Sequence, residues 1–388
     1  MGHFEPHSAR TFLRTLRPSN TFDTAARFSG SRLDLAKLLA LGVILQAITF
    51  GFYRFWLETD VRRHLWSNTR IGVEAFEYTG TGRELLLGFL KALAISAPAS
   101  LTTFAVGFWA QSLHDMAGLV SGAIFLIMIV LASFAAWRYR ASRTAFRGVR
   151  FRVAGSLIGY LMRWLFWTSF TVLTLGLAWP WRKAALERYL IGNTHYGTLR
   201  ATFSGTGEAL ARAVAGPLLT MAAGLLCLLI NTVVGAALIT GAAIWSVVAM
   251  PVATTRWRIE NTRFGNIHFT CRPRRRAFAI ALALFVVSVI LIASITFMGL
   301  AVSAVALGID ITAGTRSPAL MVLLGLTCLP CALSLGAAKR LFVERGFWAA
   351  TLAGTTIEGL LSLEDVQALD VAEDGTGEEL LGFLAFEA

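Results

Sequence analysis

The sequence predicts an all-α polytopic membrane protein: a tandem parallel repeat, three transmembrane hairpins plus two re-entrant or spanning segments, and small cytoplasmic β elements. Three observations predict it. The 388 residues are 56% hydrophobic and only 15% charged, a balance rare in soluble domains of this length. Eight apolar segments each reach the length that a bilayer core of about 30 Å requires. A polar phrase, NTRIGVEAFEYTGTG from Asn68, returns 125 residues later as NTHYGTLRATFSGTG from Asn193.

In chain order, residues 1–26 form a basic tail carrying Arg10, Arg14 and Arg17. No apolar run follows at once and no small-residue cleavage site is evident, so this is not a cleaved signal peptide. Pro6 occupies the place where a myristoylation signal needs Ser or Thr. The apolar segments lie at 35–57, 86–110, 116–137, 154–181, 210–230, 232–252, 277–307 and 318–338. The connection 107–118 has no Lys or Arg, the join at Asn231 has no charge, and 307–318 has only Arg316. These read as external. The connections 54–85, 138–152, 182–212 and 256–276 are rich in arginine and belong in the cytoplasm by the positive-inside rule.

That rule makes hairpins of segments 2–3, 5–6 and 7–8. Segments 35–57 and 154–181 are basic at both ends. If they enter and leave on one side, packed against the hairpins, every basic connection stays inside. Eight full spans with one misplaced loop is the competing arrangement. The division that follows is a basic tail (1–26), repeat A (27–137), repeat B (138–252), a partial repeat C with the last hairpin (253–345), and a tail (346–388). After Arg345 that tail has nine acidic residues and no Lys or Arg. It is expected to fold onto the basic cytoplasmic face, or else to remain solvated.

The repeat rests on an ungapped alignment of 27–85 with the chain 125 residues on. Thr49, Gly51 and Trp56 fall on Thr174, Gly176 and Trp181. Arg63, Asn68 and Gly72 fall on Arg188, Asn193 and Gly197. Gly80 and Gly82 fall on Gly205 and Gly207. A third copy keeps Arg256, Asn261 and Gly265. Both full copies share one local topology, so the repeat is parallel. A Thr-x-Gly near a segment end, an aromatic cluster ending in Trp, an arginine, Asn-Thr-x-x-Gly and Gly-Thr-Gly together resemble the YjgN-like family of bacterial inner-membrane proteins, over about 27–345. Here GFYRFW lacks the proline that GLAWPW keeps at Pro180, and His64 departs from the usual Arg-Tyr. The resemblance implies location and architecture, with the protein multi-pass in the bacterial inner membrane and both termini cytoplasmic. It implies no activity.

The repeated residues are the candidate site. Gly-Thr-Gly could receive an anion on backbone N–H groups, but a turn with Thr capping the next helix is favoured, because no Lys-Ser/Thr follows. VEAFEY and LRATF alternate as short strands. Asn68 and Asn193 are expected to tie loop backbone. Trp56 and Trp181 suit an interfacial belt. Arg63, Arg188 and Arg256 serve equally as lipid-phosphate ligands or as topology determinants. Cys328 and Cys331 form Cys-x-x-Cys without a second pair to relay electrons, and Cys227 and Cys271 stand apart. Scattered histidines make no metal site, and no catalytic constellation is evident. The expectation is therefore no enzyme, no metal and no cofactor.

The net charge of +12 fits arginine-rich loops facing anionic lipid rather than nucleic acid, since no basic stretch carries regularly interleaved aromatics. A homo-oligomer is compatible with this composition. Two functional classes follow. One is a small-molecule or lipid facilitator, with a path lined by Gln46, Thr49, Thr174 and Asn231. The other is a non-transporting scaffold that binds partners or anionic lipid at its basic face. A membrane thiol oxidoreductase is a distant third.

Overall fold

The computed structural model describes residues 24–109, 114–308 and 318–359. Most of the basic N-terminal tail, Asp310, Arg316 and the acidic residues beyond Glu358 lie outside them.

The polar connections between apolar segments alternate apolar and polar residues over three to five positions, the period of a strand. Among the described residues ten such strands form: β1 (Thr24–Phe28), β2 (Thr69–Ile71), β3 (Glu74–Tyr78), β4 (Thr144–Phe146), β5 (Val149–Val153), β6 (Thr194–Tyr196), β7 (Leu199–Phe203), β8 (Thr262–Phe264), β9 (Ile267–Cys271) and β10 (Thr355–Glu358). Each pairs antiparallel with its sequence neighbour, and β1 pairs with β10, which closes a barrel. The all-α expectation is therefore wrong: the β elements are not small accessories but one closed barrel. Strands this short carry little signal one by one. Closure also joins Thr24 to Ile357 from opposite ends of the chain.

The strand register sorts the connections onto two rims. On one rim Phe28 pairs with Thr69, Tyr78 with Thr144, Val153 with Thr194, Phe203 with Thr262 and Cys271 with Thr355. Each of these pairs is bridged in sequence by helices. On the other rim sit two-residue turns at 72–73, 147–148, 197–198 and 265–266, together with the start of β1 and the end of β10. Positive φ at Gly72, Gly148, Gly197 and Gly265 suits tight hairpin turns.

The chain is thus five β–helices–β units. Three carry long helical pairs: α3 (Gly82–Trp109) with α4 (His114–Ser142), α7 (Gly207–Leu228) with α8 (Thr232–Glu260), and α9 (Arg275–Ala306) with α10 (Pro318–Ala338). The last pair continues through a π-helical turn (Lys339–Glu344) and α11 (Arg345–Leu352) into β10. Among the described residues, six helices are long and apolar enough to cross a membrane. Large apolar side chains cover their outer faces, among them Phe104, Ile244, Ile290 and Phe297. The protein is a multi-pass membrane protein.

The other two units carry short pairs: α1 (Arg32–Ile48) with α2 (Arg54–Ser67), and α5 (Leu157–Leu173) with α6 (Trp179–Gly192). Segments 35–57 and 154–181, expected as single elements, are each broken in the middle. The break is written in Thr-x-Gly. Gly51 N–H donates to Gln46 O (2.7 Å) and Phe50 N–H to Ala47 O (3.4 Å); Gly176 N–H donates to Thr171 O (2.8 Å) and Leu175 N–H to Val172 O (3.0 Å). This crossed pair of bonds ends a helix with a left-handed residue, here Phe50 and Leu175, each at φ 50°. Gly51 and Gly176 follow at φ 91°, a region that favours glycine. Thr49 and Thr174 complete the turn, donating to Leu45 O and Phe170 O and accepting from Tyr53 N and Ala178 N. Both short pairs therefore leave and rejoin the barrel at the same rim.

Candidate functional site

Five threonines open strands β2, β4, β6, β8 and β10. Each hydroxyl donates to the carbonyl four residues earlier: Thr69 to Leu65 (2.8 Å), Thr144 to Arg140 (2.7 Å), Thr194 to Leu190 (2.9 Å), Thr262 to Arg258 (2.7 Å) and Thr355 to Thr351 (2.8 Å). The bond carries the helix directly into the strand and aims each threonine into the barrel. The last turns of α2, α4, α6, α8 and α11 consequently converge over the helix-side rim.

Inside lies a cavity of about 550 Å³. Its strand wall includes Ala26, Ile71, Phe76, Phe151, Phe269 and Ile357. Its helix-side wall carries Trp66, Trp137 and Trp348 with two charged residues, Arg140 and Arg258. The rings of Trp66 and Trp348 stack at 5.0 Å. Trp66 Nε1–H donates to Thr144 Oγ1 (3.0 Å) and Trp348 Nε1–H to Thr69 Oγ1 (2.8 Å). The wall is apolar because its threonine hydroxyls are already engaged. A concave, mostly apolar site with a few convergent polar groups is the usual form of a ligand pocket, and ~300–1,000 Å³ its usual size.

Ion pairs lie beside the helix-side end, with Arg62 and Glu187 buried. Glu58 accepts from Arg62 (3.3 Å) and Arg340 (2.6 Å). Glu187 meets Lys183 (3.1 Å) and Arg258 (3.1 Å). Arg62 also donates to Tyr78 Oη (3.1 Å), and the Arg258 guanidinium lies 4.8 Å from the Trp137 ring centroid. The 125-residue shift places Glu58 on Lys183 and Arg62 on Glu187. The ion pair is kept with its charges exchanged. At one corner Glu84 accepts from Tyr139 Oη (2.8 Å) and pairs with Arg143 (3.1 Å). At the helix-side rim, where Cys271 pairs with Thr355, burial pushes the Cys271 thiol above its ordinary pKa. A buried, protonated thiol is a packing residue rather than a nucleophile.

Of the Asn-Thr-x-x-Gly motifs, the threonines Thr69, Thr194 and Thr262 line the cavity; the repeated asparagines, glycines, tryptophans and arginines, with Thr49 and Thr174, do not, and build the junctions that shape it. Asn68, Asn193 and Asn261 cap α2, α6 and α8, each amide donating at 2.7 Å to the carbonyl four residues back. Thr81 and Thr206 cap α3 and α7. Gly82 and Gly207 permit close approach: a Cβ at Gly207 would lie 2.6 Å from Trp181 Cα, and one at Gly82 2.8 Å from Trp56 Cα. Gly80 and Gly205 are packed against Tyr78 and Phe203. Arg188 donates to Gly205 O (3.0 Å), whereas Arg63 and Arg256 pair locally with Asp60 and Glu260. Gln46 donates to Gly42 O and Asn231 caps α8, so the supposed path-lining set is not brought together at the lumen. Cys328 is exposed and Cys331 half-buried, both unpaired thiols on α10.

Sequence reasoning missed the lumen residues. Arg140 and Arg258 were hidden among topology-setting arginines, and Glu58 and Glu187 lay in stretches read as connections. The usable signal was the threonine that follows each helix.

A family model described as bacterial protein of unknown function (DUF898) matches residues 23–251, in keeping with the motif resemblance. No curated protein and no solved structure matches the chain.

Proposed function

We propose, for a chain that belongs to the DUF898 family of bacterial proteins of unknown function, that it is a non-enzymatic inner-membrane protein that takes a small apolar molecule or single-chain lipid into its barrel. The observation that carries this reading is the apolar cavity inside the barrel, whose helix-side rim carries the six helices, among the described residues, that are long and apolar enough to cross a membrane. A ligand dissolved in the bilayer reaches that rim without crossing water. The tandem repeat supplies the frame: equivalent threonine, asparagine and glycine junctions hold successive helical pairs over one lumen.

A diazirine-bearing monoacylglycerol added to membrane vesicles tests the reading. After photolysis, adducts are expected on lumen peptides containing Ile71, Phe76 and Phe269. Adducts confined to the outward faces of α3 and α9 would refute it.

On this reading the barrel and both described chain ends lie in the cytoplasm, an orientation that the arginine-rich connections support. In a cysteine-free background, Ser67→Cys is therefore expected to resist an impermeant thiol reagent in intact cells and to react once they are opened. Labelling in intact cells would place the barrel in the periplasm.

A scaffold role rests on a different surface. Arg27, Arg70, Arg150, Arg152, Arg200 and Arg263 are exposed on strands whose alternate residues face inward. Arg27 lies directly across from Arg70. Like charges so placed repel, and this wall suits anionic headgroups or an acidic partner.

A further inference from the structure

The geometry points to a second binding site, for a phosphate ester, in a cavity between α5 and α6, with a lipid headgroup as the form the bilayer supplies. The site is separate from the barrel lumen and stands whether or not the lumen takes a ligand.

The tandem repeat builds the same place twice and fills it differently. The 125-residue shift puts Leu35, Leu39 and Leu57 of the first short pair on Tyr160, Trp164 and Arg182 of the second, and Val61 and Leu65 on Leu186 and Leu190. In the first pair these five residues are one buried core, packed against Leu341 and Trp348. Leucine fills the frame there, so the helical pair needs nothing polar to hold together. In the second pair the same positions line a cavity of about 250 Å³, together with Trp179, Lys183 and Glu187. Protein interiors are close-packed and leave few voids larger than a water molecule. Cavities that stay empty are apolar ones, whereas a polar cavity is filled.

Charge selects the occupant. Glu187 is already shared by Lys183 and Arg258. Arg182 pairs with no carboxylate among the described residues, and its guanidinium lies 5.5 Å from the centroid of the Trp164 ring. A guanidinium offers phosphate a planar fork of donors, and a neighbouring lysine adds a point charge. The wall is accessible: the Lys183 side chain is 40% exposed, and Trp164, Trp179 and Arg182 are half-buried. At ~30 Å³ per water-sized group, the cavity's 250 Å³ holds about eight such groups. That is room for a phosphate with a short polar substituent and not for an acyl chain.

Depth favours a lipid as the source. Leu173, Leu175 and Leu177 are exposed where α5 turns into α6, a tip that suits acyl chains. The cavity lies between that tip and the barrel rim, flanked by two indoles, and indoles gather at headgroup level. Met162 and Phe166, exposed on α5, offer the chains an apolar face outside the cavity.

The test is native mass spectrometry of the full, delipidated chain in detergent with three probes: dioleoylphosphatidylglycerol, dioleoylglycerol and glycerol 3-phosphate. The phosphatidylglycerol is expected to bind about tenfold more tightly than dioleoylglycerol, which has the same chains and no phosphate. Arg182→Leu installs the residue of the first pair, where Leu57 is 1% exposed. It is expected to melt at the parent's temperature or above and to weaken phosphatidylglycerol binding roughly tenfold. Arg83→Leu removes the same charge from an exposed position on α3 and should leave binding within about twofold. Should Arg182→Leu elute as an aggregate, Arg182→Gln is judged by the same criterion. Tighter, Arg182-dependent binding of glycerol 3-phosphate than of phosphatidylglycerol supports the phosphate site and makes its source a soluble ester. Equal binding of phosphatidylglycerol and dioleoylglycerol without Arg182-dependent binding of glycerol 3-phosphate, or an Arg182 variant that binds phosphate esters as Arg83→Leu does, overturns the site.

Discussion

A chain stopped at Gly354 will not hold a folded barrel, whereas one stopped at Gly359 will. The shorter chain lacks β10, whose residues pair with Cys271, Thr270, Phe269 and His268 on one side and with Thr24 and Ala25 on the other. Its loss strips a ladder from both β1 and β9 and leaves two raw strand edges, the features that drive aggregation. It also removes Thr355 and Ile357 from the lumen wall, so the remaining apolar interior meets water. All six long helices survive the cut, and membrane insertion is expected to be normal. The defect should appear after extraction: the Gly354 form aggregates on size exclusion and is digested rapidly, while the Gly359 form elutes as the full chain does. Equal elution and equal melting for the two forms would mean that the barrel contributes little to stability.

The second large effect is expected at Glu187. Its side chain is 5% exposed and lies between Lys183 and Arg258. Glu187→Ala leaves two cations facing each other without their counter-ion. Breaking a buried ion pair from one side costs ~3–5 kcal/mol; because Lys183 and Arg258 retain some solvent, about 3 kcal/mol is expected. The comparison that isolates the cause is Lys183→Met/Glu187→Met/Arg258→Met. Removing all three charges together should destabilise less than Glu187→Ala alone, since apolar replacements leave nothing unpaired. Reversible denaturation in mixed micelles reads both. A Glu187→Ala protein as stable as the parent would show that the network is solvated. A triple variant worse than the single one would show that packing, not charge, sets the cost.

The membrane character of the chain was legible because a long apolar helix announces itself locally. Hairpins β2–β3, β6–β7 and β8–β9 were legible as a recurring phrase, because Thr and Gly hold fixed places around each turn. Hairpin β4–β5 escaped, although its turn is equally short, because Arg147 takes the place of that glycine and adopts φ 49° itself, with Gly148 following at φ 76°. Closure was not legible at all. It depends on a pairing between Thr24 and Ile357, and no local pattern encodes a partner at the far end of the chain. The lumen chemistry was obscured differently. Arg140 and Arg258 belong to stretches that also hold exposed arginines, among them Arg147, Arg150, Arg256 and Arg263, and only the three-dimensional path of each helix separates a residue that sets topology from one that lines a cavity. Segments 35–57 and 154–181 show the converse. Their basic flanks correctly flagged something unusual, and the physical cause is the helix-ending Thr-x-Gly at their centres.

The pairing of first strand with last also sets a timetable. The ribosome delivers ~5–20 residues per second, and roughly 330 residues separate Thr24 from Ile357. Strand β1 therefore waits on the order of 15–70 s for its second neighbour, long after the first helical pairs have emerged. During that interval the nascent chain presents an unfinished sheet whose lumen is open along one seam. Helix insertion proceeds unit by unit, but the interior is sealed in a single terminal event. Anything that is to be enclosed without a later entry route must be present before translation ends.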